Sequence, residues 1–122
     1  MPRLVILDDR ASNRSIFAAL ARQIAPDVQV ETFSGGASAL AWIAENTPDL
    51  VITDFKMPGM DGPEFIGRFR LLPGCEDVPV VVITVYEERA LRLQALEVGA
   101  TDFLLSPVDH HEFVTRARNL LK

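Results

Sequence analysis

The sequence predicts an α/β fold built on a parallel sheet, and three observations predict it. Short apolar runs alternate with helix-like segments five times along the 122 residues, the signature of strands joined by crossover helices. The runs are continuous, as in Leu4-Val5-Ile6-Leu7 and Leu50-Val51-Ile52, which is the pattern of strands covered on both faces. Two of them lead directly into acid, Asp8-Asp9 after the first and Asp54 after the third. In open α/β sheets, ligands bind outside the carboxyl ends of the strands.

The strands read as 3–8, 28–33, 49–54, 78–84 and 101–105. Between the first two, residues 11–25 carry Ile16, Phe17, Leu20 and Ile24 at helical spacing, and Pro26 marks the end. Residues 35–46 place Ala39, Leu40, Trp42 and Ile43 near one stripe. The third helix starts with Pro63, which suits a first helical turn, and carries Phe65, Ile66 and Phe69. The fourth, 87–98, closes at Gly99, where a left-handed cap needs no Cβ. Asp109 is placed to cap the last helix, whose apolar positions include Phe113, Val114, Ala117, Leu120 and Leu121. With no repeat, low-complexity tract or linker, the chain reads as one domain over 1–122, large enough to bury a core without staples.

A formal charge of −5 argues against direct binding of a nucleic-acid backbone, which needs clustered cations. Arg68, Arg70, Arg89, Arg92, Arg116 and Arg118 are scattered over several helices and read as solvated faces. No apolar run approaches the length that crosses a bilayer. Met-Pro-Arg leads at once into a strand, without the pattern of a secretory signal. The single cysteine, Cys75, excludes an internal disulfide, suits a reducing cytoplasm and reads as a loop thiol without a role.

If the first and third strands are neighbours, Asp8, Asp9 and Asp54 converge. Such a cluster repels itself and is hard to hold ionised unless a hard cation sits between the oxygens, so the residues point to a divalent-metal site and phosphoryl chemistry. Pro58, Gly59 and Gly62 read as a tight loop beside Asp54, with Asp61 as a turn residue. His110 and His111 are adjacent, about 100° apart on a helix, unlike a metal-binding pair at four-residue spacing; they read as a solvated helix start.

From Asp8-Asp9 through Asp54 in "ITDFKMPGMDG" and Thr84 in "VVVIT" to "GATDFLLSP", the whole chain resembles the receiver domain of two-component response regulators. The resemblance implies a doubly wound, flavodoxin-like five-stranded parallel sheet in the order 2-1-3-4-5, with helices on both faces. It implies Asp54 as the nucleophile that accepts a phosphoryl group from a sensor histidine kinase, a phosphotransfer protein or a small phosphodonor. It implies Mg²⁺, with Mn²⁺ as a substitute, held by Asp9 and Asp54, by Asp8 through a water, and by the Lys56 backbone carbonyl. Thr84 is expected to reach a phosphoryl oxygen, and Phe103 stands at the switch aromatic. The fourth helix, fifth strand and fifth helix are the expected face for a homodimer or an output partner, and the domain is expected to be cytoplasmic, with no turnover substrate of its own. The closing "DHHEFVTRARNLL" is similar to receivers that precede HD-type cyclic-dinucleotide phosphodiesterase domains.

The chain departs from the family at Ser106, which stands before Pro107 where the family has lysine. That lysine pairs with the acceptor carboxylate. Two unit charges about 4 Å apart interact by about 1 kcal/mol in bulk water and about 4 at an effective dielectric of 20. Arg10 and Lys56 border the pocket mouth in the family and are candidates to supply the missing charge. Val85 and Tyr86, following Thr84, are expected to restrict attacking water and slow the loss of a phosphoryl group. Ser106-Pro107 is a candidate cis peptide. The alternative reading is a phosphorylation-independent binding module that lost its lysine. A haloacid-dehalogenase-type phosphatase would need a second aspartate where Arg10 stands, and a flavodoxin phosphate loop would be repelled by Asp8-Asp9.

Overall fold

Burial accounts for the apolar runs. In the computed structural model, which describes residues 1–122, the first run forms β1 (Arg3–Leu7), buried from Leu4 onward. β3 (Leu50–Asp54) and β4 (Val80–Thr84) are buried along almost their whole length. β2 (Gln29–Phe33) and β5 (Asp102–Leu105) mix exposed and covered positions, as edge strands do. All pairings are parallel, in the order β2-β1-β3-β4-β5.

Successive strand residues point to opposite faces of a sheet, and the two faces carry separate cores. Val5, Val51, Val80 and Val82 pack with α2 (Gly36–Ile43), α3 (Gly62–Phe69) and α4 (Arg89–Glu97), chiefly through Ile43, Phe65, Phe69 and Ala95. Leu4, Ile6, Ile52 and Ile83 pack with α1 (Ala11–Ala21) and α5 (His110–Leu120), where Phe17 and Phe113 stack at 5.5 Å.

The expected boundaries hold to within a few residues, and the differences have local causes. The chain from Arg22 to Ile24 leaves α1 by a tighter turn, with Gln23 and Ile24 N–H groups donating to Leu20 and Ala21 carbonyls. Ile24 is therefore buried at helical spacing yet lies beyond the helix. Asp61 does more than turn the chain: its Oδ1 accepts the Glu64 N–H at 2.9 Å and caps α3. Asp109 caps α5 in the same way, as expected. Gly99 takes φ 112° after α4, and a Cβ there would also meet the Arg70 guanidinium.

Two readings need correction. Cys75 lies in the loop after α3, as read, but it is fully buried and packs into the core, which gives it a structural place, and burial pushes its pKa up. Arg70 is not on a solvated face either. Its guanidinium donates to the carbonyls of Cys75, Val78 and Gly99, tying the end of α3 to the loops before β4 and β5. Arg118 similarly donates to the Gln23 and Ile24 carbonyls, and Arg116 pairs with Asp102 and Glu112. These three arginines bind the fold together because long side chains reach unsatisfied carbonyls and carboxylates beyond their own helix.

Candidate functional site

The register of the sheet assembles the site. Leu7 is level with Thr53 across β1 and β3, so Asp8 and Asp54 leave neighbouring strands side by side. The strand order reverses at β1, which makes this the crevice where an open α/β sheet binds ligands. One carboxylate oxygen from each of Asp8, Asp9 and Asp54 lies within 4.8 Å of the others. They line a cleft of about 170 Å³ that also includes Arg10, Asn13, Lys56, Thr84, Val85, Tyr86 and Ser106.

The three acids differ in setting. Asp8 is buried, 2% exposed, whereas Asp9 faces solvent and Asp54 is half-buried. Asp8 Oδ1 accepts the Arg10 N–H at 2.9 Å, its Oδ2 accepts the Asn13 amide at 3.3 Å, and its backbone carbonyl accepts from Arg14 at 2.8 Å. Burial raises the Asp8 pKa, opposed by the hydrogen bonds from Arg10 and Asn13. Asp54 Oδ1 accepts the Phe55 N–H at 2.8 Å. Burial, and then repulsion from Asp8, push the Asp54 pKa up to about 6; the Phe55 hydrogen bond and the Arg10 charge oppose the rise.

This donor set fits a hard divalent cation. It offers only carboxylate oxygens at close quarters, and the exposed Asp9 leaves the site open to the waters that Mg²⁺ retains. A close approach of backbone supports it: a Cβ on Gly62 would lie 2.7 Å from the Asp54 carbonyl oxygen, so the loop after β3 can fold back only on glycine.

Thr84 is buried, and its hydroxyl oxygen accepts the Tyr86 N–H at 2.9 Å, leaving its own proton to donate. Ser106 lines the cleft, its N–H donating to the Thr84 carbonyl, and its bond to Pro107 is cis. Phe103 lies apart from the cleft. It is half-buried on the α4 face of the sheet and lines a groove with Arg92, Asp102, Leu105, Glu112 and Arg116. His110 and His111 are exposed at the start of α5. Asn13 also belongs to the site, although it lies off the apolar stripe of its helix; its signal in the sequence is an amide one turn beyond the acid pair.

The fold and the site define a doubly wound α/β domain with an acidic crevice at the carboxyl edge of its sheet, and comparison gives its family. The model of the response regulator receiver domain matches residues 4–118, and the chain belongs to that family. It is 40% identical over 119 residues to the cyclic di-GMP phosphodiesterase response regulator RpfG of Xanthomonas campestris, covering 98% of this chain and 32% of that one. It is 36% identical over 120 residues to the response regulator PleD of Caulobacter vibrioides, covering 98% of this chain and 26% of that one. The chain thus spans a third or less of these relatives. Among solved structures, chemotaxis protein CheY4 of Vibrio cholerae superposes with a TM-score of 0.91 at 25% identity, covering 98% of each chain. Receiver domains are the signalling modules of two-component systems and bind Mg²⁺ at an acidic pocket. No helix of this chain is long and apolar enough to cross a membrane.

Proposed function

We propose that residues 1–122 act as a single receiver domain that takes a phosphoryl group onto Asp54 and thereby switches a protein-interaction surface. The observation that carries this reading is the convergence of Asp8, Asp9, Asp54 and Thr84 in one cleft at the carboxyl edge of the sheet. The donor is the phosphohistidine of a sensor kinase or phosphotransfer protein, or a small phosphodonor. An Asp54 carboxylate oxygen forms the new P–O bond as the P–N bond breaks, and the imidazole keeps the electron pair.

Asp8, Asp9 and Asp54, with the Lys56 backbone carbonyl, would hold Mg²⁺ or Mn²⁺, which when bound neutralises charge on the phosphoryl oxygens. Asp54 attacks only when ionised, and the Arg10 charge favours that form at both Asp54 and Asp8. The Lys56 ammonium lies over the Tyr86 ring instead. We therefore assign the compensation for the missing family lysine chiefly to Arg10, with the Ser106 hydroxyl as a further donor. Thr84 donates to a phosphoryl oxygen once the group is attached.

Drawing Thr84 toward the phosphoryl group opens space behind it for Phe103, which biases β5 and the helices beside it between two surface arrangements. The face formed by α4, β5 and α5 exposes Leu96 and Leu105, the latter in the groove that holds the Arg116–Asp102 ion pair, and suits a second copy or an output partner. The likeness to RpfG supports an output module acting on a cyclic dinucleotide. The domain acts in the cytoplasm, and its own catalysis is confined to gaining and losing the phosphoryl group.

Intact-protein mass after incubation with acetyl phosphate or phosphoramidate and Mg²⁺ tests this. A gain of one phosphoryl group, absent in Asp54→Asn, is expected. No gain with small donors or with a cognate kinase would return the chain to a phosphorylation-independent module.

A further inference from the structure

Asp8 is the one buried carboxylate of the cluster, and the start of α1 holds it on three sides. These contacts differ in what they depend on. The Arg10 N–H belongs to the backbone, so any residue but proline would supply it. Arg14 grips the Asp8 backbone carbonyl and does not touch the carboxylate. Asn13 alone brings a side-chain donor to the carboxylate, at 3.3 Å from Oδ2, and it lines the same cleft.

An amide suits this place for a chemical reason. A lysine would compete with a cation for the acids, and an aspartate would add to their repulsion and offer no donor. The amide donates a neutral hydrogen bond, using one lone pair of an oxygen and leaving others for the cation site. Groups that hydrogen-bond a metal-ligating carboxylate orient it, and losing one typically costs about 10–100-fold in affinity or activity.

We propose that Asn13 is a positioning residue for the cation site, fixing the Asp8 carboxylate from the first turn of α1. The inference rests on the reading that Asp8, Asp9 and Asp54 hold a divalent cation. Because α1 leads directly out of the acid pair, the contact also ties the orientation of a cation ligand to the seating of that helix.

The test is an amide NMR titration of the domain with Mg²⁺, for the unmodified chain, Asn13→Ala and Asn13→Leu. Both substitutions place a better helix former on a half-buried helical position, so the fold is retained. The Phe55 amide, which donates to Asp54, reports cation binding. The Arg10 amide, which rests on the other oxygen of the Asp8 carboxylate, reports how Asp8 is turned. Both variants are expected to weaken Mg²⁺ binding about tenfold and to shift the Arg10 amide before any Mg²⁺ is added, while the Tyr86 amide stays in place. Absence of saturable shifts in the unmodified chain would overturn the cation reading itself. Binding in the unmodified chain with both variants within twofold of it would overturn the role of Asn13 alone, as would weakened binding with an unmoved Arg10 amide.

Discussion

The Lys56 ammonium nitrogen sits 5.4 Å from the centre of the Tyr86 ring, and that ring in turn packs on Phe55 at 5.9 Å. A cation over an aromatic face gains about 0.5–1 kcal/mol at an exposed site. This contact draws Lys56 toward the rim of the cleft, whereas the Arg10 charge acts on Asp8 and Asp54 themselves. Arg10→Ala is therefore expected to slow phosphorylation by acetyl phosphate about fivefold, the effect of about 1 kcal/mol of lost charge interaction near a surface. Lys56→Ala should change the rate less than twofold. Adding Ser106→Lys to Arg10→Ala should recover the loss. Intact-protein mass followed over time reads all three, and an equal loss in both single variants would remove the distinction between the two cations.

Asp54 gives the domain a pH dependence of stability whose sign can be worked out. Its pKa is raised from 3.8 to about 6 in the cation-free fold, by burial first and then by Asp8. A carboxyl group whose folded pKa lies above its unfolded value favours folding while protonated, and that contribution is lost as pH rises from about 4 through about 6. Asp54 is half-exposed, so screening reduces the effect to about 1–2 kcal/mol. At pH 7 without divalent cation, Asp54→Asn should unfold at higher denaturant than the unmodified domain. The difference should shrink toward pH 4 and on adding Mg²⁺. Denaturant midpoints at the two pH values decide it; a gap that grows toward low pH would reverse the sign.

Gly62 offers a test of the loop that carries the acceptor. A Cβ at this position would stand 2.7 Å from the Asp54 carbonyl oxygen and 3.1 Å from the Phe55 Cα, both backbone atoms that cannot swing aside. Gly62→Ala should destabilise by about 1–3 kcal/mol, the usual cost of overpacking, and should also reduce phosphorylation because Asp54 moves. Gly67→Ala, inside α3 with open space around it, serves as the control and should leave phosphorylation unchanged while raising stability by about 0.5–1 kcal/mol, the usual gain for alanine over glycine in a helix interior. Urea unfolding of the two variants separates the outcomes.

The buried strands and the acid cluster were legible because their signals are local and redundant. Leu4 to Leu7 and Leu50 to Ile52 are apolar without interruption, too short for a buried helix and rich in β-branched residues, as suits a strand covered on both faces; the acids that follow then fall at strand ends. The roles of the arginines were not legible in the same way. Whether Arg70 meets solvent or three carbonyls depends on the loops before β4 and β5, which lie up to 29 residues away in sequence. The place of Phe103 was equally hidden, since a phenylalanine on an edge strand reads the same whether it faces the cleft or the groove beside α4. Asn13 needed the helix start to be seated against Asp8 before its amide had anything to donate to.

Val85 and Tyr86 bear on how long the modified state would last. Val85 stands exposed at the mouth of the cleft, 64% accessible, and Tyr86 is held beside Thr84 by its own N–H on the threonine hydroxyl. Water must approach the aspartyl phosphate in line with the bond to Asp54, on the open side of the cleft these two residues border. An isopropyl group and a phenol ring there reduce the approaches open to it, and the Phe55 and Lys56 contacts keep the ring from turning freely. Val85→Ala with Tyr86→Ala should therefore speed the loss of the phosphoryl group about tenfold, roughly 1.4 kcal/mol of barrier, with little change in its acquisition from acetyl phosphate. Each variant is phosphorylated, freed of donor by rapid desalting and followed by intact mass in Mg²⁺. A decay unchanged by the double substitution, or a half-life of seconds in the unmodified domain, would show that these side chains do not limit water.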